Sequence, residues 1–343
     1  MKSALKKDKY IAVIEISSTA IKTLLGLPKY VSRKTEDISR FKYPILTPVY
    51  IERYIDDSNT LDINKFEKQI LPEILKATSK ILKEVTQAIR IIITGYLRNI
   101  SNSREISILI ETHIKKLVKN KNMELEVLTP ERESYLSFIS WLNTYNFKNE
   151  DFELYNSFFF HLSKGLHIDI GGGTTEVSVF KGDDFSNTTS LDIGTDKIKN
   201  TILKKRQMSK VTLLDLNKEI ESFISKKLES YFSEVYQIDY SVITGSKTFL
   251  VYESKVNSEG KKDLSLVEDL LDERVDRISY FFITYFNNNN PVNKSNEQDL
   301  LEFASMSILR AILIYFGLTN YYQNSANLRV GVYYDTKDKI KNP

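Results

Sequence analysis

The chain has 343 residues, enough for about two domains of ordinary size. Lysine and arginine number 48 against 45 aspartates and glutamates, so the net charge of +3 excludes a strongly basic or acidic tail as the dominant feature. Any binding of anions must therefore be local. Cysteine is absent, which excludes disulfides, thiolate zinc sites and cysteine nucleophiles from this chain.

The sequence contains no pattern typical of an export signal or a membrane helix. The apolar residues that follow the basic Met1–Lys9 stretch are interrupted by Glu15. The longest later apolar run, Ile308–Leu318, is shorter than the ~20 residues that a membrane-spanning helix needs. We expect a cytoplasmic protein with neither a membrane partner nor a nucleic-acid partner.

Strands and helices alternate in the first part of the chain. The apolar run Tyr10–Ile16 ends at a cluster of hydroxyl residues, and apolar character resumes at Ile21, which predicts two strands joined by a turn. The elements predicted next are a helix over Thr60–Glu84, a strand over Ala88–Thr94, a helix over Ser103–Asn120, a strand over Leu125–Leu128 and a helix that starts at Thr129 and Pro130. This alternation predicts an α/β domain.

The second part of the chain begins with three strands that we expect to form an antiparallel meander. The elements predicted there are strands over Leu166–Ile170, Glu176–Lys181 and Asp184–Asp192, a helical region over Thr195–Phe232, a strand over Asp239–Thr244, helices over Leu264–Phe286 and Gln298–Phe316, and a final strand over Asn327–Tyr334. Both halves share one theme: strand, turn of small residues, strand, helix, strand.

The most distinctive motif is the glycine-rich segment Asp169–Glu176, which lies between two predicted strands. Its three consecutive glycines allow a backbone turn with uncovered amide groups, which is typical of a phosphate-binding loop. Asp169, at the end of the first strand, has the oxygen chemistry to hold a hydrated Mg²⁺ against such a phosphate. The alternative is an ordinary glycine-rich hairpin.

This segment resembles the second phosphate loop of the superfamily that contains actin, the sugar kinases and the heat-shock chaperones. Its final residue, Glu176, is similar to that of the exopolyphosphatase and guanosine pentaphosphate phosphatase (Ppx/GppA) family. Further segments resemble this family in the same order along the chain: Ile14–Leu25, the group Thr94, Arg98 and Asn102, Thr129–Glu133, Ser190–Lys197, Gly245–Thr248, Gly317–Thr319 and Asn327–Val332.

The resemblance implies a fold and an activity. The expected fold is α/β, with two RNase H-like, actin-like domains facing each other across an interdomain cleft. Domain I is expected over residues 1–137, completed by 318–343, and domain II over 138–317. The implied activity is that of a phosphohydrolase that releases terminal phosphate from inorganic polyphosphate or guanosine pentaphosphate with Mg²⁺, and we expect a homodimer.

The resemblance also implies roles for individual residues. Two glutamates are the expected catalytic residues, Glu133 as general base and Glu176. Two carboxylates are the expected metal ligands, Glu15 and Asp169. The expected phosphate-binding residues are Ser17, Ser18, Thr19, Lys22, Arg98, Gly171, Gly172, Gly173, Thr174, Gly245, Ser246 and Lys247. Glu133 could instead be an ordinary glutamate at a helix start, where the helix dipole favours negative charge. Arg98 could instead form a salt bridge on the surface.

The first loop departs from the family pattern Asp-x-Gly-Ser-Asn-Ser. Glu15 is one methylene longer than aspartate, Ser17 adds a Cβ where glycine is usual, and Ala20 lacks a hydroxyl. Lys22 and Lys197 stand where the family has arginines. The ammonium group of lysine acts as a point charge, whereas the guanidinium group of arginine can bind a phosphate through two parallel hydrogen bonds. We therefore expect reduced activity. Two other hypotheses stay open: a catalytically weakened nucleotide- or alarmone-binding protein of the same fold, and an actin-like ATPase.

Overall fold

A computed structural model describes most of the chain: residues 10–17, 19–27, 41–42, 45–84, 86–118, 122–144, 163–204, 209–232, 236–245, 262–284, 294–323 and 327–341. The chain divides into two compact units, Met1–Asn146 with Ala326–Pro343 (unit 1) and Phe147–Ser325 (unit 2). These boundaries differ from the predicted ones. A boundary after residue 137 would cut through the helix Pro130–Thr144, and the strand Asn320–Gln323 belongs to the sheet of unit 2.

Unit 1 contains a five-stranded sheet in the order β3-β2-β1-β4-β5. Its described strands are β1 (Tyr10–Ile16), β2 (Ala20–Gly26), β3 (Leu46–Pro48), β4 (Thr86–Ile93) and β5 (Asn122–Val127). Its described helices are α1 (Ile63–Lys65), α2 (Leu71–Leu82), α3 (Ser103–Val118), α4 (Pro130–Thr144) and α9 (Leu328–Lys341), with a π-helical turn over Phe66–Ile70 and 3₁₀ turns over Ile51–Tyr54 and Gly95–Arg98. β1 is antiparallel to β2 and parallel to β4, which is parallel to β5.

Unit 2 contains a six-stranded sheet in the order β10-β11-β9-β6-β7-β8. Its described strands are β6 (Lys164–Ile170), β7 (Thr175–Lys181), β8 (Asp184–Leu191), β9 (Tyr240–Gly245), β10 (Lys262–Asp263) and β11 (Asn320–Gln323). Its described helices are α5 (Thr195–Lys204), α6 (Lys210–Tyr231), α7 (Leu264–Thr284) and α8 (Lys294–Tyr315). Among all the described helices of the chain, none combines the length and apolar character needed to cross a membrane.

The two sheets repeat one topology. In each, the first strand pairs antiparallel with the second and parallel with a later strand: β1 with β2 and β4, and β6 with β7 and β9. The predicted α/β fold class with two RNase H-like sheets is confirmed. The predicted antiparallel meander of β6, β7 and β8 is confirmed as well.

Helices cover both faces of the sheet in unit 1. Alternate residues of β1 enter two clusters: Ile14 packs in the cluster that includes α2 and α3, whereas Val13 packs in the cluster that includes α4 and α9. A strand buried on both faces has no polar alternation. This explains why the stretch Ile11–Ile14 is apolar without interruption.

The predicted final strand over Asn327–Tyr334 is wrong, because this segment lies in helix α9. Its β-branched and aromatic residues favour a strand locally, but packing against α4 determines the outcome. Gly331 lies so close to α4 that an added Cβ would be 1.8 Å from the carbonyl oxygen of Leu136. The hydroxyl of Thr336 donates to the Val332 carbonyl oxygen at 2.7 Å, a bond to the preceding helical turn.

Candidate active site

The first hairpin, β1–β2, has a tight turn closed by one serine side chain. Ile16 pairs with Ile21, and the amide of Ser17 donates to the Ala20 carbonyl at 3.0 Å. The Ser17 hydroxyl donates to the same carbonyl at 2.9 Å and accepts from the Ala20 amide at 3.2 Å. The serine that replaces the usual glycine therefore stabilises its own turn. Ser18 lies outside the described residues, and the Thr19 carbonyl accepts from the amide of Val49 at 2.9 Å.

Glu15, at the end of β1, is buried between two cations. Its Oε1 atom is 2.9 Å from Lys22 Nζ, directly across the hairpin, and its Oε2 atom is 3.6 Å from Arg329 Nε on α9. Burial raises the pKa of the Glu15 carboxyl, but the charges of Lys22 and Arg329 outweigh it and hold the pKa below its ordinary value. Glu15 is therefore a carboxylate with a cation at each oxygen.

This arrangement does not fit Mg²⁺ at Glu15. The metal binds carboxylate oxygen at about 2.0–2.1 Å and would have to displace Lys22 and Arg329 while remaining close to both positive charges. The predicted assignment of Glu15 as a metal ligand is therefore not carried into the function proposed below.

Arg98 and Glu133 form an ion pair at the carboxyl end of the parallel strands in unit 1. The 3₁₀ turn after β4 places Arg98 Nη1 against Glu133 Oε2, and the side chains are 5% and 10% exposed. The same Nη1 atom lies 3.5 Å from the Leu128 carbonyl oxygen, just beyond β5. A largely buried pair is not the surface salt bridge considered as the alternative for Arg98.

The two glutamates of the first turn of α4 differ in environment. Glu133 is buried against Arg98, whereas Glu131 is only half-buried. The helix begins with Pro130, and the Thr129 hydroxyl accepts from the Arg132 amide at 3.3 Å, so both glutamates also lie near the positive end of the helix dipole. Only Glu133 has the fixed orientation that a general base requires.

The second hairpin, β6–β7, repeats the turn of the first with glycine in place of the hydroxyl residues. Ile170 pairs with Thr175, and the amide of Gly171 donates to the Thr174 carbonyl at 2.9 Å. The carbonyl of Gly171 accepts from the Thr195 amide at 3.0 Å, and that of Gly172 accepts from the Asp196 amide at 2.9 Å. The amino end of α5 thus binds the carbonyl groups of the loop.

The amide groups of the same loop are available to a ligand. Within the described ranges, the backbone amides of Gly172, Gly173 and Thr174 donate no hydrogen bond to another part of the chain. Three consecutive amides of this kind form a concave site for an anion. The geometry supports the predicted phosphate-binding role of the loop.

A side chain at Gly172 would displace the carboxylate of Asp196, so replacing this glycine is expected to disturb the loop. An added Cβ would lie 2.4 Å from Asp196 Oδ2, and Asp196 is held by Lys199 at 3.1 Å. We expect the variant Gly172→Val to bind tripolyphosphate at least about tenfold more weakly than the wild type, a loss of about 1.4 kcal/mol. Calorimetry measures this change. Equal binding by both proteins would contradict the assignment.

Asp169 and Glu176 occupy paired positions on the two strands of the second hairpin. They pair directly in register and are 8% and 2% exposed. The Ser190 hydroxyl, opposite Glu176 on β8, donates to Glu176 Oε1 at 2.9 Å. Carboxylates at paired positions of neighbouring strands repel each other, and a cation bound by both relieves this repulsion.

This pair fits Mg²⁺. Magnesium is usually bound by one or two carboxylates, with water and substrate phosphate completing its coordination. The described residues contain no cluster of three or more potential metal-binding side chains. Asp169 and Glu176 would therefore be the two protein ligands of the metal ion.

Gly245, at the end of β9, makes space for the Asp169 carboxylate. Its φ is +97°, and an added Cβ would lie 2.4 Å from Asp169 Oδ1. Gly245 is thus adjacent to the proposed metal ligand. Ser246 and Lys247, also predicted to bind phosphate, lie outside the described residues.

His167, on β6, is a buried residue of the sheet. Its Nε2 atom lies 3.0 Å from Thr244 Oγ1, and burial lowers its pKa from 6.5 to about 3. Below pH 6.5 the unfolded chain therefore binds a proton that the folded chain does not, so stability falls as the pH drops from 6.5 towards 3.

Replacing His167 is expected to reduce the acid sensitivity of folding. Between pH 7 and pH 5 the wild type should lose about 2 kcal/mol of unfolding free energy through this group. Urea unfolding at the two pH values measures the loss of unfolding free energy. We expect His167→Gln to lose about 2 kcal/mol less than the wild type, and the control His113→Gln to lose as much as the wild type. Identical pH dependence of His167→Gln and the wild type would contradict this explanation.

Two residues of the site were not among the predicted site residues. Ser190 belongs to a segment that resembles the family, and its place opposite Glu176 follows from the predicted meander once the register is known. Arg329 reaches Glu15 from the other end of the chain. The sequence around Arg329 predicts a strand and contains no signal of this contact.

Comparison with known proteins identifies the family. The model of the Ppx/GppA phosphatase family matches residues 48–337, which begin after the first hairpin. A search of curated proteins found no match. Three solved structures are similar in fold over nearly the whole chain.

A Ppx/GppA family member from Aquifex aeolicus has 16% identity and a TM-score of 0.64, with 97% of this chain and 98% of that chain covered. An exopolyphosphatase-like protein has 12% identity and a TM-score of 0.63, with 96% and 99% covered. An exopolyphosphatase from Cytophaga hutchinsonii has 14% identity and a TM-score of 0.59, with 96% and 98% covered. Because the family model matches most of the sequence, the chain belongs to the Ppx/GppA phosphatase family.

Proposed function

We propose that this phosphohydrolase releases terminal phosphate from inorganic polyphosphate or guanosine pentaphosphate with Mg²⁺. The observation that supports this most strongly is the second hairpin. Its amides at Gly172, Gly173 and Thr174 offer an anion site, and Asp169 and Glu176 offer the carboxylate ligands that Mg²⁺ prefers. Phosphate and metal binding thus adjoin in one loop.

The proposed reaction is attack of water on the terminal phosphorus. The bond from that phosphorus to the bridging oxygen breaks, and the products are orthophosphate and a polyanion shorter by one phosphate. Bound Mg²⁺ supplies charge neutralisation at the phosphoryl oxygens.

Side chains of each unit have separate roles in this proposal. Glu133 accepts the proton of the attacking water as general base, and Arg98 orients the Glu133 carboxylate through their ion pair. Ser190 fixes Glu176 through its hydroxyl group. The amides of the second hairpin hold phosphate oxygens.

Phosphate release from different substrates tests the proposed substrate class. Inorganic polyphosphate, guanosine pentaphosphate and ATP are compared at equal concentration with Mg²⁺ and with EDTA. We expect Mg²⁺-dependent release from polyphosphate or guanosine pentaphosphate to exceed release from ATP at least about tenfold in kcat/KM. Preferential hydrolysis of ATP would support an actin-like ATPase instead.

A second candidate function is a protein that binds a nucleotide or alarmone without hydrolysing it. The first hairpin favours this alternative, because Glu15 is occupied by Lys22 and Arg329 and the Ser17 hydroxyl is used within its own turn. Such a protein would bind guanosine pentaphosphate in the calorimeter and release no phosphate from any of the three substrates.

A further inference from the structure

An acidic side chain, Asp196, lies against the glycine-rich loop of the second hairpin. It belongs to the first turn of α5, and its amide donates to the Gly172 carbonyl at 2.9 Å. A Cβ added to Gly172 would be 2.4 Å from Asp196 Oδ2. Because a Cβ atom lies about 2.5 Å from the amide nitrogen of its own residue, this oxygen is within about 5 Å of the Gly172 amide nitrogen. A carboxylate therefore adjoins one of the three amides that are available to an anion.

A negative charge at this position opposes the binding of a polyanion. Like charges repel each other, and salt screens this repulsion only in part at distances shorter than the Debye length, which is about 8 Å at physiological ionic strength. The Asp196 carboxylate therefore weakens the affinity of the loop for phosphate unless a neighbouring cation compensates its charge.

Lys199, one turn further along α5, is such a cation. Its ammonium nitrogen is 3.1 Å from Asp196 Oδ1 and 2.8 Å from Oε1 of Glu297, a residue of α8. Burial lowers the pKa of Lys199, but the hydrogen bond with Glu297 and the charge of Asp196 outweigh burial and hold the pKa above its ordinary value. Lys199 therefore carries its positive charge at neutral pH.

The pair of Lys199 with Asp196 differs from an ordinary ion pair on a helix surface. The side chain of Lys199 is 14% exposed, whereas that of Lys218, which pairs with Asp215 at the same spacing on α6, is 78% exposed. Lys199 also connects two helices, because Asp196 lies on α5 and Glu297 on α8. Its ammonium group is thus held beside Asp196 from two sides.

We infer that Lys199 is a positioning residue of the glycine-rich loop, which compensates the charge of Asp196 and thereby preserves the affinity of the loop amides for phosphate. Lys199 acts through Asp196 and does not itself bind the phosphate. The inference rests on the proposed function in that this loop binds phosphate. The resemblance to the family assigned no role to either side chain.

Calorimetry with tripolyphosphate in Mg²⁺ tests the inference on the full chain. Every protein carries Glu133→Gln so that the ligand is not hydrolysed, and Glu133→Gln alone is the parent protein. We expect Lys199→Met to bind at least about fivefold more weakly than the parent and Lys199→Arg to bind within about twofold of it, because arginine keeps the charge. The matched control Lys218→Met removes the lysine of the exposed pair and is expected to leave the affinity unchanged.

A double-variant cycle separates charge compensation from other roles of Lys199. We expect Asp196→Asn to bind at least as tightly as the parent, and the addition of Lys199→Met to Asp196→Asn to change the affinity by less than about twofold. A direct contact of Lys199 with phosphate, or a purely structural role, gives the same loss with and without Asp196→Asn. That result would overturn the inference.

Two further outcomes distinguish this inference from the proposed function. Equal binding by Lys199→Met and the parent would overturn the inference and leave the proposed phosphate site intact. Absence of binding by the parent would refute the phosphate site itself, and the inference with it. Thermal unfolding confirms that each variant is folded, and Lys199→Gln replaces Lys199→Met if the latter is not.

Discussion

Glu133→Gln is expected to lower the turnover number for phosphate release by about 10² to 10⁴ and to leave KM nearly unchanged. The substitution preserves the shape of the side chain and one acceptor oxygen for Arg98, but it removes the carboxylate that accepts a proton from water. Steady-state kinetics with the preferred substrate measures both constants.

The neighbouring glutamate provides the matched control for this prediction. Glu131→Gln, in the same helical turn but only half-buried, is expected to change the turnover number less than about threefold. A large loss in Glu131→Gln with little change in Glu133→Gln would assign the general base to the other residue, and equal losses would indicate that neither glutamate acts alone.

Asp169→Asn is expected to reduce phosphate release by about 10³, because loss of a metal ligand removes several kcal/mol of transition-state stabilisation. The asparagine retains the size of the side chain beside Gly245, so folding should be preserved. Phosphate release as a function of Mg²⁺ concentration measures the effect, which added Mg²⁺ should reverse only in part.

Asp184→Asn is the control for Asp169→Asn. Asp184 lies at the start of β8, is exposed and accepts from the Ser186 amide at 2.9 Å, so its loss should not change turnover. An unchanged Mg²⁺ dependence in Asp169→Asn would exclude Asp169 as a metal ligand.

The parts of the site that lie on one hairpin were predictable from sequence because their contacts are local. In the turn of the second hairpin, a side chain at Gly172 would meet Asp196, and at the end of β9 glycine is favoured at 245, where φ is positive and Asp169 is close. Glycine placed between apolar runs is a direct sequence signal of such turns.

Features that depend on contacts distant in sequence were not predictable. The segment around Arg329 is rich in β-branched and aromatic residues and therefore predicts a strand, yet the approach of Gly331 to Leu136 makes it a helix. The helix places Arg329 beside Glu15, so that each oxygen of this expected metal ligand lies near a cation. Likewise, the burial of Glu133 and its ion pair with Arg98 are contacts of the fold that set it apart from Glu131.

The central claim is that this chain hydrolyses phosphoanhydrides, and the turnover number of the wild type tests it most directly. Released orthophosphate is measured with polyphosphate and with guanosine pentaphosphate in Mg²⁺, in parallel with Glu133→Gln and Asp169→Asn. We expect a wild-type turnover number on the order of 1 s⁻¹ with one of these substrates and values at least about a hundredfold lower in both variants. Tight binding of guanosine pentaphosphate by the wild type, with no more phosphate release than in the two variants, would contradict the claim and establish a binding protein instead.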